Sequence, residues 1–340
     1  MKRLKLVDKL VFFVNSIVAT MLLLSYILPY VSPKNFALLS VLSLAVPFLI
    51  LLNILFFVYW LLKVKKQLLL SLIILFIGYN YLFSLYKFSS SKNIEDPNNI
   101  SVMNYNVRLF NVFEWIPDET VKTQIVDFIS EKQPDVLSMQ EYRPDEAISL
   151  KGYYKYEELS GKKVKNGQAI FSKFPIVNSG SIEFPNTSNN AIFVDIVKAK
   201  DTIRIYNVHL QSLGIDPTVE KLANESSENL FKRVSKTFKM QESQTELFLQ
   251  HKAKCKYKMV ICGDFNNTAY SYVYKEIKGD LQDAFVEGGN GFGRTFNFKF
   301  FPVRIDFILA DDAFEVNGFK TFDVELSDHY PILAKLKLAK

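Results

Sequence analysis

The sequence contains few cysteines and few histidines. Its 340 residues include two cysteines, Cys255 and Cys262, and three histidines. Two cysteines are too few for a scaffold held together by disulfides, and without clustered Cys or several His a zinc site is disfavoured. Cys262 lies inside the apolar run 259–262, where a free cysteine usually fills core space. These shortages exclude the small disulfide-rich domains and the common zinc proteins.

Charged side chains are missing from three long stretches near the N-terminus. The stretches are Leu10–Val31, Phe36–Leu62 and Leu68–Tyr86. At about 1.5 Å per helical residue, even the shortest reaches roughly the thickness of the hydrocarbon core of a bilayer. A cleaved signal peptide would account for the first stretch but not for the other two. We therefore expect three transmembrane helices within residues 1–88, the third of which is the weakest because it contains Gly78 and Asn80.

Basic residues flank these stretches unevenly. Lys2, Arg3, Lys5 and Lys9 precede the first stretch, and Lys63, Lys65 and Lys66 follow the second. The connection between the first two stretches has only Lys34. Because cytoplasmic loops carry the excess of Lys and Arg, we expect the N-terminus and the second connection in the cytoplasm. Three crossings then place everything after Tyr86 on the outer (periplasmic or extracellular) side of an inner or plasma membrane. If the third stretch failed to cross, that part would face the cytoplasm.

The remainder of the chain has no excess of positive charge. Residues 1–88 hold nine basic residues and one acid, and residues 89–340 hold the remaining 32 basic and 34 acidic residues. Such a domain lacks the strong field of a nonspecific nucleic-acid binder, although this balance does not exclude a local basic patch. The polar, aperiodic segment Ser89–Asn99 contains Pro97 and predicts a linker. Residues 100–340 are then one soluble domain.

Apolar residues in this domain alternate between the period of strands and the period of helices. Strands are predicted at Ile100–Val107, Asp135–Gln140, Gly167–Ser172, Ala191–Val197, Thr202–His209, Lys258–Cys262, Arg304–Leu309 and Pro331–Leu338. Helices are predicted at Thr120–Lys132 and from Phe231 towards Gln250. Interleaved strands and helices over about 240 residues predict one α/β domain with two sheets.

Polar residues recur at the ends of the predicted strands. They are Asn106, Glu141, His209, Asp264, Asn266, Asp328 and His329, and a further acid, Asp306, lies inside the predicted strand Arg304–Leu309. Strand ends are where a rigid sheet can gather distant side chains into one site. Carboxylate and amide oxygens suit Mg²⁺, Mn²⁺ or Ca²⁺, and a carboxylate beside a histidine suits acid–base chemistry. Taken singly, Asp264 with Asn266 could form a simple turn, but Asp306 in an apolar strand needs a partner, and His329 is the natural candidate.

Seven short motifs occur in one order along the domain. They are Asn104-Tyr105-Asn106, Met139-Gln140-Glu141, Gly167-Gln168-Ala169-Ile170-Phe171-Ser172, Asn207-Val208-His209-Leu210, Gly263-Asp264-Phe265-Asn266, Arg304-Ile305-Asp306-Phe307-Ile308 and Ser327-Asp328-His329-Tyr330-Pro331. In this order the chain resembles the endonuclease/exonuclease/phosphatase superfamily over Ile100–Leu338. The resemblance implies a DNase I-like four-layer sandwich of two mixed β-sheets flanked by helices, here preceded by a bundle of three transmembrane helices.

The resemblance also implies a metal and a water-activating group. Glu141 would be the principal ligand of Mg²⁺, for which Mn²⁺ could substitute, with Asn106 and Asp328 nearby. Asp264 would orient or deprotonate the attacking water. Asn266 would hold that water or a phosphate oxygen.

The histidines receive their roles from the same resemblance. His329, paired with Asp306, would act as acid or base or bind the phosphate as imidazolium, which leaves the identity of the base open between Asp264 and His329. His209 would contact the phosphate and assist the leaving group. The abasic-site endonuclease branch usually lacks that histidine, which disfavours DNA repair.

These expectations converge on a membrane-anchored, Mg²⁺-dependent phosphoesterase that hydrolyses a phosphodiester or phosphomonoester by in-line attack of water. A lipid headgroup or a small phosphoester is favoured as substrate because the domain has no excess of positive charge. One alternative is an extracytoplasmic endonuclease or exonuclease acting on DNA or RNA. Another is an inactive membrane-tethered binding module, which the presence of every expected polar residue disfavours.

Two features beside the motifs bear on the pocket. Phe296, Phe298 and Phe300 alternate along the chain and predict either a strand face packed in the core or an aromatic rim that grips a lipid or a base. Arg294 beside them is a candidate contact for a second phosphate. The loops 153–166 and 212–230 are expected to shape the rim of the pocket.

Overall fold

The structure is a computed structural model that describes residues 4–89, 91–92, 94–144, 150–161, 165–214, 226–298 and 301–339. Its helices are α1 (Leu6–Ser25), α2 (Pro33–Val41), α3 (Val46–Leu62), α4 (Leu68–Ile77), α5 (Tyr79–Leu85), α6 (Val121–Lys132), α7 (Ser227–Lys252), α8 (Tyr272–Lys278) and α9 (Ala284–Gly288). Its strands are β1 (Tyr86–Lys87), β2 (Ile100–Asn106), β3 (Val136–Tyr142), β4 (Tyr154–Ser160), β5 (Asn166–Ser172), β6 (Ile176–Glu183), β7 (Asn190–Lys198), β8 (Asp201–His209), β9 (Lys258–Asp264), β10 (Gln282–Asp283), β11 (Gly291–Phe292), β12 (Asp306–Ala310), β13 (Phe314–Thr321) and β14 (Ile332–Leu338). Short 3-10 helices lie at Leu28–Tyr30 and Leu42–Ala45, and a left-handed turn lies at Arg108–Asn111.

Two six-stranded sheets form the centre of the domain. The first has the strand order β13-β14-β2-β3-β5-β4, and the second has the order β10-β12-β9-β8-β7-β6. In the first sheet β2 and β3 are parallel, and in the second β8 and β9 are parallel. The other neighbouring strands in both sheets run antiparallel. Both sheets are therefore mixed, as the resemblance implied.

Successive residues of a strand belong to different layers. In β2, Val102 packs in the core between the two sheets, where it joins Ile205 and Val260 of the second sheet. The next residue, Met103, belongs to a separate core together with Ile125 of α6. This period of two is what a strand buried on both faces requires. A third core, which includes Phe248 of α7 and Val273 of α8, covers the other face of the second sheet. The order helix, sheet, sheet, helix gives the predicted α/β sandwich.

The elements that the sequence pattern did not predict lie mainly at the edges of the sheets. β4 and β13 are the two edge strands of the first sheet, and β6 is an edge strand of the second. The side chains of β4 are half-buried or exposed along its whole length, which leaves little apolar alternation to recognise. The prediction therefore recovered the interior strands and missed strands whose pairing is one-sided.

The N-terminal region contains two helical stretches that are long and apolar enough to cross a membrane, Leu6–Tyr30 and Pro33–Leu62. The third predicted helix is instead the pair α4 and α5, bent by 81°. The break falls at Gly78, where an added Cβ would lie 2.1 Å from Cζ of Tyr26. The hydroxyl of Tyr26 donates to the carbonyl oxygen of Ile74 at 2.9 Å, which holds the ring against the glycine. The predicted third span is therefore a bent pair of helices, and the count of spans is two, or three if that pair crosses as one.

The domain packs against one end of the helical bundle. Ser32 Oγ and the backbone N–H of Lys34, between the first two spans, donate to the Glu242 carboxylate of α7 at 2.7 and 2.6 Å. At the other end of α1, the hydroxyl of Tyr59 donates to Asp8 at 2.9 Å. The connection after α1 and the domain thus share one end of the bundle, whereas the start of α1 and the end of α3 share the opposite end.

The segment predicted as a linker lies along the domain surface. Its described residues form no helix or strand. The backbone N–H of Lys92 donates to the carbonyl oxygen of Asn317 at 2.8 Å, and Asp96 pairs with Lys337 at 2.6 Å. Just before the segment, β1 pairs with β11 of the domain. The chain is therefore attached to the domain from Tyr86 onwards.

Candidate active site

Polar residues from both sheets meet where the parallel strands end. In the second sheet, β8 ends at His209 and β9 ends at Asp264, and these two residues are paired in register. The neighbouring antiparallel strand β12 begins at Asp306, which pairs with Asp264 from the other side. In the first sheet, Asn106 ends β2, and Glu141 lies next to the residue with which Asn106 pairs in β3. Sheet register therefore joins residues 34 to 55 positions apart, and the packing of the two sheets places Asn106 against Asp264 across 158 positions.

His329 lies between two carboxylates. Its Nδ1 is hydrogen-bonded to Oδ2 of Asp306 at 2.9 Å, and its Nε2 lies 3.6 Å from Oδ2 of Asp264. The side chains of His329, Asp306 and Asp264 are 6%, 1% and 1% exposed, so water screens these interactions only weakly. The predicted pairing of His329 with Asp306 is present. Nε2 remains as the ring nitrogen that faces Asp264.

Asp264 is the centre of the cluster. Its Oδ2 accepts hydrogen bonds from Nδ2 of Asn106 at 3.1 Å and from Nδ2 of Asn266 at 3.2 Å. Its Oδ1 accepts the backbone N–H of Asn266 at 2.8 Å. Nε2 of His209 lies 3.8 Å from Oδ2. One carboxylate thus connects four of the other predicted site residues: Asn106, Asn266, His209 and His329.

The residues predicted to bind metal lie beside this centre. Nδ2 of Asn106 lies 3.4 Å from Oε1 of Glu141, while its Oδ1 accepts the backbone N–H of Arg108 at 3.1 Å. Asp328 forms an ion pair with Nε of Arg108 at 3.2 Å. Rotating the Asn106 amide by 180° would turn its oxygen towards Glu141 without moving the backbone. Glu141, Asn106 and Asp328 therefore form one oxygen-rich group with a single arginine beside it.

Burial raises the pKa values of the acids in this group. The pKa of Asp264 is raised to about 7 by burial, and Asp306 adds to the shift while His329 opposes it. The pKa of Glu141 is also raised, first by burial and then by the negative charge of Asp328. Both carboxylic acids are therefore harder to ionise than exposed acids.

The two histidines shift in opposite directions. Burial alone would lower the pKa of His329, but the attraction of Asp306 and Asp264 outweighs it and raises the pKa well above its ordinary value. The pKa of His209 is lowered to about 3 by burial and by the neighbouring His329. At pH 7 His209 is therefore neutral, while His329 favours the charged form.

A buried amide network fixes the strand ends from below. Nε2 of Gln140 donates to Oδ1 of Asn104 at 2.7 Å and to Oδ1 of Asn207 at 2.5 Å. Asn104 in turn lies 3.5 Å from Asp306, through its Nδ2. These three amides join the two sheets directly beneath the site. Asn104, Gln140 and Asn207 belong to the motifs that carry the family resemblance, but the sequence pattern alone assigned no role to any of them.

The site residues border a cavity of about 440 Å³. The polar residues at its wall include Arg108, Glu141, Asp264, Asn266, Asp328 and His329. Asn106, Asp306 and His209 do not line it, but each lies within 4 Å of Asp264 or His329. All eight predicted site residues therefore belong to one cluster, five at the cavity wall and three behind it.

The aromatic segment contributes to the same cavity. Phe296 and Phe298 line it, and the ring of Phe296 packs edge-on against His329 with centroids 5.1 Å apart. Phe296 forms isolated bridges with Val303 and His329, but residues 295–298 form no strand, so the core-strand interpretation is wrong for the described residues. Phe300 lies outside the described residues. Arg294 lies outside this cavity and stacks on Tyr330 at 4.3 Å.

The two loops expected at the pocket rim differ. Of the loop 212–230, residues 212–214 line the cavity, and residues 215–225 lie outside the described ranges. Of the loop 153–166, most described residues form the edge strand β4, which does not line the cavity. The expectation that the loop 153–166 shapes the pocket rim is therefore wrong for the described part of that loop.

Arg108 is the main cavity residue that the sequence did not indicate. It begins a run of four left-handed, non-glycine residues with φ between 42° and 60°, ending at Asn111. Such a conformation costs roughly 1–2 kcal/mol per residue and tends to occur at functional sites. The run turns Arg108 so that it stacks on Trp115 at 4.3 Å and pairs with Asp328. No sequence signal marks a strained run of this kind.

Among the described residues, one group of acids and histidines has ligand atoms close enough to hold a metal ion. The group is Asp264, Asp306 and His329, whose atoms lie within 4.8 Å of one another. It differs from the predicted set of Glu141, Asn106 and Asp328. Because Asp306 already shares a hydrogen bond with His329, these two side chains have fewer free ligand atoms for a metal ion. The oxygen-rich group around Glu141 has more unused acceptor capacity.

Two family profiles match the chain. The profile described as Endonuclease/Exonuclease/phosphatase family matches residues 103–329, about two thirds of the chain. A second, described as a domain of unknown function (DUF8431), matches residues 8–85. Comparison with curated proteins gives no match.

Solved structures share the fold of the domain. The human Nocturnin catalytic domain with bound sulfate is 20% identical, with a TM-score of 0.53, and the match covers 75% of this chain and 97% of that chain. A mannosyl-6-phosphatase from Bacteroides thetaiotaomicron is 18% identical, with a TM-score of 0.53 and coverage of 70% and 99%. D. rerio TDP2 in complex with a single-strand DNA product is 14% identical, with a TM-score of 0.51 and coverage of 71% and 100%. With two thirds of its residues matched by the family profile, the chain belongs to the endonuclease/exonuclease/phosphatase family of phosphoric ester hydrolases.

Proposed function

We propose that the protein is a membrane-anchored, Mg²⁺-dependent phosphoesterase that hydrolyses a lipid phosphoester or another small phosphoester by in-line attack of water. One observation carries the proposal. Asp264 lies within 4 Å of Asn106, Asn266, His209 and His329 at the wall of one cavity. These are the groups that position a water and stabilise charge on a phosphoryl group.

The residues around Glu141 suit a hard divalent cation. Carboxylate oxygens of Glu141 and Asp328 and the amide oxygen of Asn106 are the donor types that Mg²⁺ prefers, and Mn²⁺ accepts the same set. The raised pKa of Glu141, caused by burial and by Asp328, fits a pair of acids that a cation would relieve. When bound, such an ion neutralises phosphate charge and promotes ionisation of water.

The protein's own groups then carry the proton transfers. Oδ2 of Asp264 orients the attacking water and accepts its proton, and the amide of Asn266 fixes that carboxylate or the water. The new bond forms between the water oxygen and phosphorus, and the ester P–O bond breaks. Nε2 of His329, held by Asp306, directs a proton at the phosphate oxygens, and neutral His209 donates a hydrogen bond to the leaving oxygen. That oxygen takes its proton from solvent water to leave as an alcohol, and the proton on Asp264 returns to solvent.

The arrangement of the bundle supports an outer location for the domain. α3 returns the chain to the end where α1 begins, because Tyr59 contacts Asp8. The domain, however, contacts Ser32 and Lys34 at the opposite end. Residues 68–85 must therefore lead back across the bundle, so we propose that the bent pair completes a third crossing. With the N-terminus in the cytoplasm by its basic flank, the domain lies outside.

A panel of phosphoesters tests the function with the full chain in lipid nanodiscs. The panel contains nucleic acid, sphingomyelin, a phosphoinositide and a nucleotide, each with and without Mg²⁺. We expect Mg²⁺-dependent hydrolysis of at least one lipid or small phosphoester, abolished by Glu141→Gln and retained by Glu131→Gln, which changes an exposed acid of α6. Faster cleavage of nucleic acid than of lipid would select the nuclease instead. Mg²⁺-independent or absent turnover on the whole panel would contradict the proposal.

A further inference from the structure

The cavity at the site has a second, apolar end that the chemistry described so far does not use. Its walls come from two parts of the chain. The bundle contributes Leu44, Pro47, Phe48 and Leu85, and the domain contributes Phe298 and Phe301. The same cavity reaches Glu141, Asp264 and His329 at its polar end. The membrane helices therefore form part of the substrate pocket, in addition to anchoring the domain.

The apolar wall is packed where the two parts meet. The rings of Phe48 and Phe301 lie with centroids 4.3 Å apart. Phe301 and Leu85 are 7% and 4% exposed and belong to one hydrophobic cluster that also contains Ile50 of α3. Phe48 itself is 46% exposed, so part of its ring remains uncovered. Phe301 and Leu85 are buried on the inner side of the interface, whereas the exposed part of the Phe48 ring forms an apolar surface on its outer side.

This wall lies at the start of α3, about midway along the apolar stretch Pro33–Leu62. α3 has 17 residues from Val46 to Leu62, which corresponds to about 25 Å and nearly the thickness of the hydrocarbon core. Phe48 is in its first turn. Leu42 and Leu52, on the same helical stretch as Phe48, are 48% and 41% exposed. The cavity wall is thus continuous with a surface suited to contact lipid.

The cations of the cavity do not suit a nucleic-acid backbone. Among the described lining residues the arginines are Arg108 and Arg304. Arg108 pairs with Asp328 at 3.2 Å, and Arg304 pairs with Asp283 at 2.7 Å. A polynucleotide needs cations that are available to several phosphates along its length. The cavity instead offers a single polar end and one apolar wall.

From these observations, and resting on the function proposed above, we infer that the substrate is an amphiphilic phosphoester. Its phosphoryl group occupies the polar end near Asp264 and His329, and its apolar chain lies along the wall of Phe48, Phe298 and Phe301. The chain enters sideways from the outer leaflet. A cavity volume of about 440 Å³ falls within the range of pockets that enclose drug-sized ligands. Hydrolysis releases the group on the far side of the phosphorus as an alcohol, while water supplies the new oxygen.

Two chromogenic diesters with the same leaving group test the inference. They are 4-nitrophenyl hexadecyl phosphate and 4-nitrophenyl methyl phosphate, assayed with the full chain in nanodiscs and Mg²⁺. The readout is the ratio of kcat/KM for the hexadecyl ester to kcat/KM for the methyl ester. We expect a ratio of at least about tenfold, reduced by roughly tenfold in Phe48→Ala and in Phe298→Ala, the scale on which apolar pockets discriminate. Leu55→Ala, which truncates a 63% exposed residue of α3 away from the cavity, keeps the ratio and controls for partitioning into lipid.

The outcomes separate this inference from the function on which it rests. A ratio unchanged in both phenylalanine variants, with both esters still cleaved in a Glu141-dependent way, overturns the apolar-chain site and leaves the phosphoesterase intact. Calorimetric titration with hexadecyl phosphate decides the matter without turnover, because Phe48→Ala should weaken binding about tenfold relative to Leu55→Ala. Equal affinity overturns the inference. Binding that depends on Phe48 in a chain that cleaves neither ester keeps the apolar site and contradicts the proposed function.

Discussion

The two ends of the cavity are built on different principles. At the polar end, groups from four strands or their flanking loops (β2, β8, β9 and β14) converge on Asp264 with contacts between 2.8 and 3.8 Å. At the apolar end, rings and aliphatic side chains pack without directional bonds, as Phe48 does on Phe301. Directional contacts fail when one atom moves or changes charge, whereas apolar packing loses energy gradually with area. Single substitutions should therefore be severe at the polar end and graded in the bundle.

The largest effect is expected from His329→Ala. The substitution removes the imidazole between Asp306 and Asp264, and we expect kcat to fall on the order of 10³-fold, within the range for a group that transfers protons. His251→Gln is the matched control. His251 bonds to the hydroxyl of Tyr206 at 3.1 Å and packs on Phe193, away from the cavity. A loss in the control as large as that in His329→Ala would mean that histidine substitutions act through folding.

Removal of the metal should also act at the polar end. We expect chelation to abolish turnover and added Mg²⁺ or Mn²⁺ to restore it. Glu141→Gln should raise the Mg²⁺ concentration for half-maximal calorimetric binding by at least about 10- to 100-fold, because even supporting residues of metal sites have effects of that size. Glu131→Gln should leave the titration unchanged. Full activity in the presence of chelator would contradict the assignment of Glu141.

In the bundle, the bend at Gly78 can be tested by Gly78→Ala. The new Cβ would overlap the ring of Tyr26 and displace its hydroxyl from the carbonyl of Ile74. We expect the free energy of unfolding of the full chain in detergent, measured by thermal denaturation, to fall by about 2 kcal/mol. This is the combined scale of steric crowding and a lost hydrogen bond. Ile73→Ala, which truncates a 55% exposed residue of α4, should cost less. A variant as stable as the parent would show that the close contact with Tyr26 is not required.

The smallest effect is expected where the domain contacts the helices. Glu242 is 3% exposed and accepts hydrogen bonds from Ser32 and from the first turn of α2. Glu242→Gln should destabilise this junction by about 1 kcal/mol, measured by hydrogen exchange of α2. Glu246→Gln, whose half-exposed side chain pairs with Lys34, should have almost no effect. Equal exchange rates in the two variants would remove the distinction between a buried and an exposed contact.

The sequence identified the polar end far better than the apolar end. Asn106, Glu141 and Asp264 each close or follow an apolar run and His329 precedes one, and strand ends are where a sheet gathers distant side chains. Nothing comparable marks Phe48, because an apolar residue in a membrane helix has the same pattern whether it faces lipid or a pocket. Its partner Phe301 lies in a segment with no regular structure.

Two further misses have local causes. The stretch 68–86 is apolar throughout and predicts one transmembrane helix, but composition does not register the contact of Tyr26 with Gly78, where the helix breaks. Arg108 enters the cavity through a left-handed turn that no residue type announces. In both cases the deciding interaction joins positions that no periodicity connects.

The most direct measurement is a crystal structure of the full chain with Mn²⁺ and hexadecyl phosphate, in which anomalous scattering locates the metal. The account predicts one manganese peak in contact with Glu141, phosphate oxygens facing Asp264 and His329, and the alkyl chain between Phe48 and Phe298. A manganese peak remote from Glu141, or an alkyl chain that leaves the cavity towards the aqueous side, would contradict it.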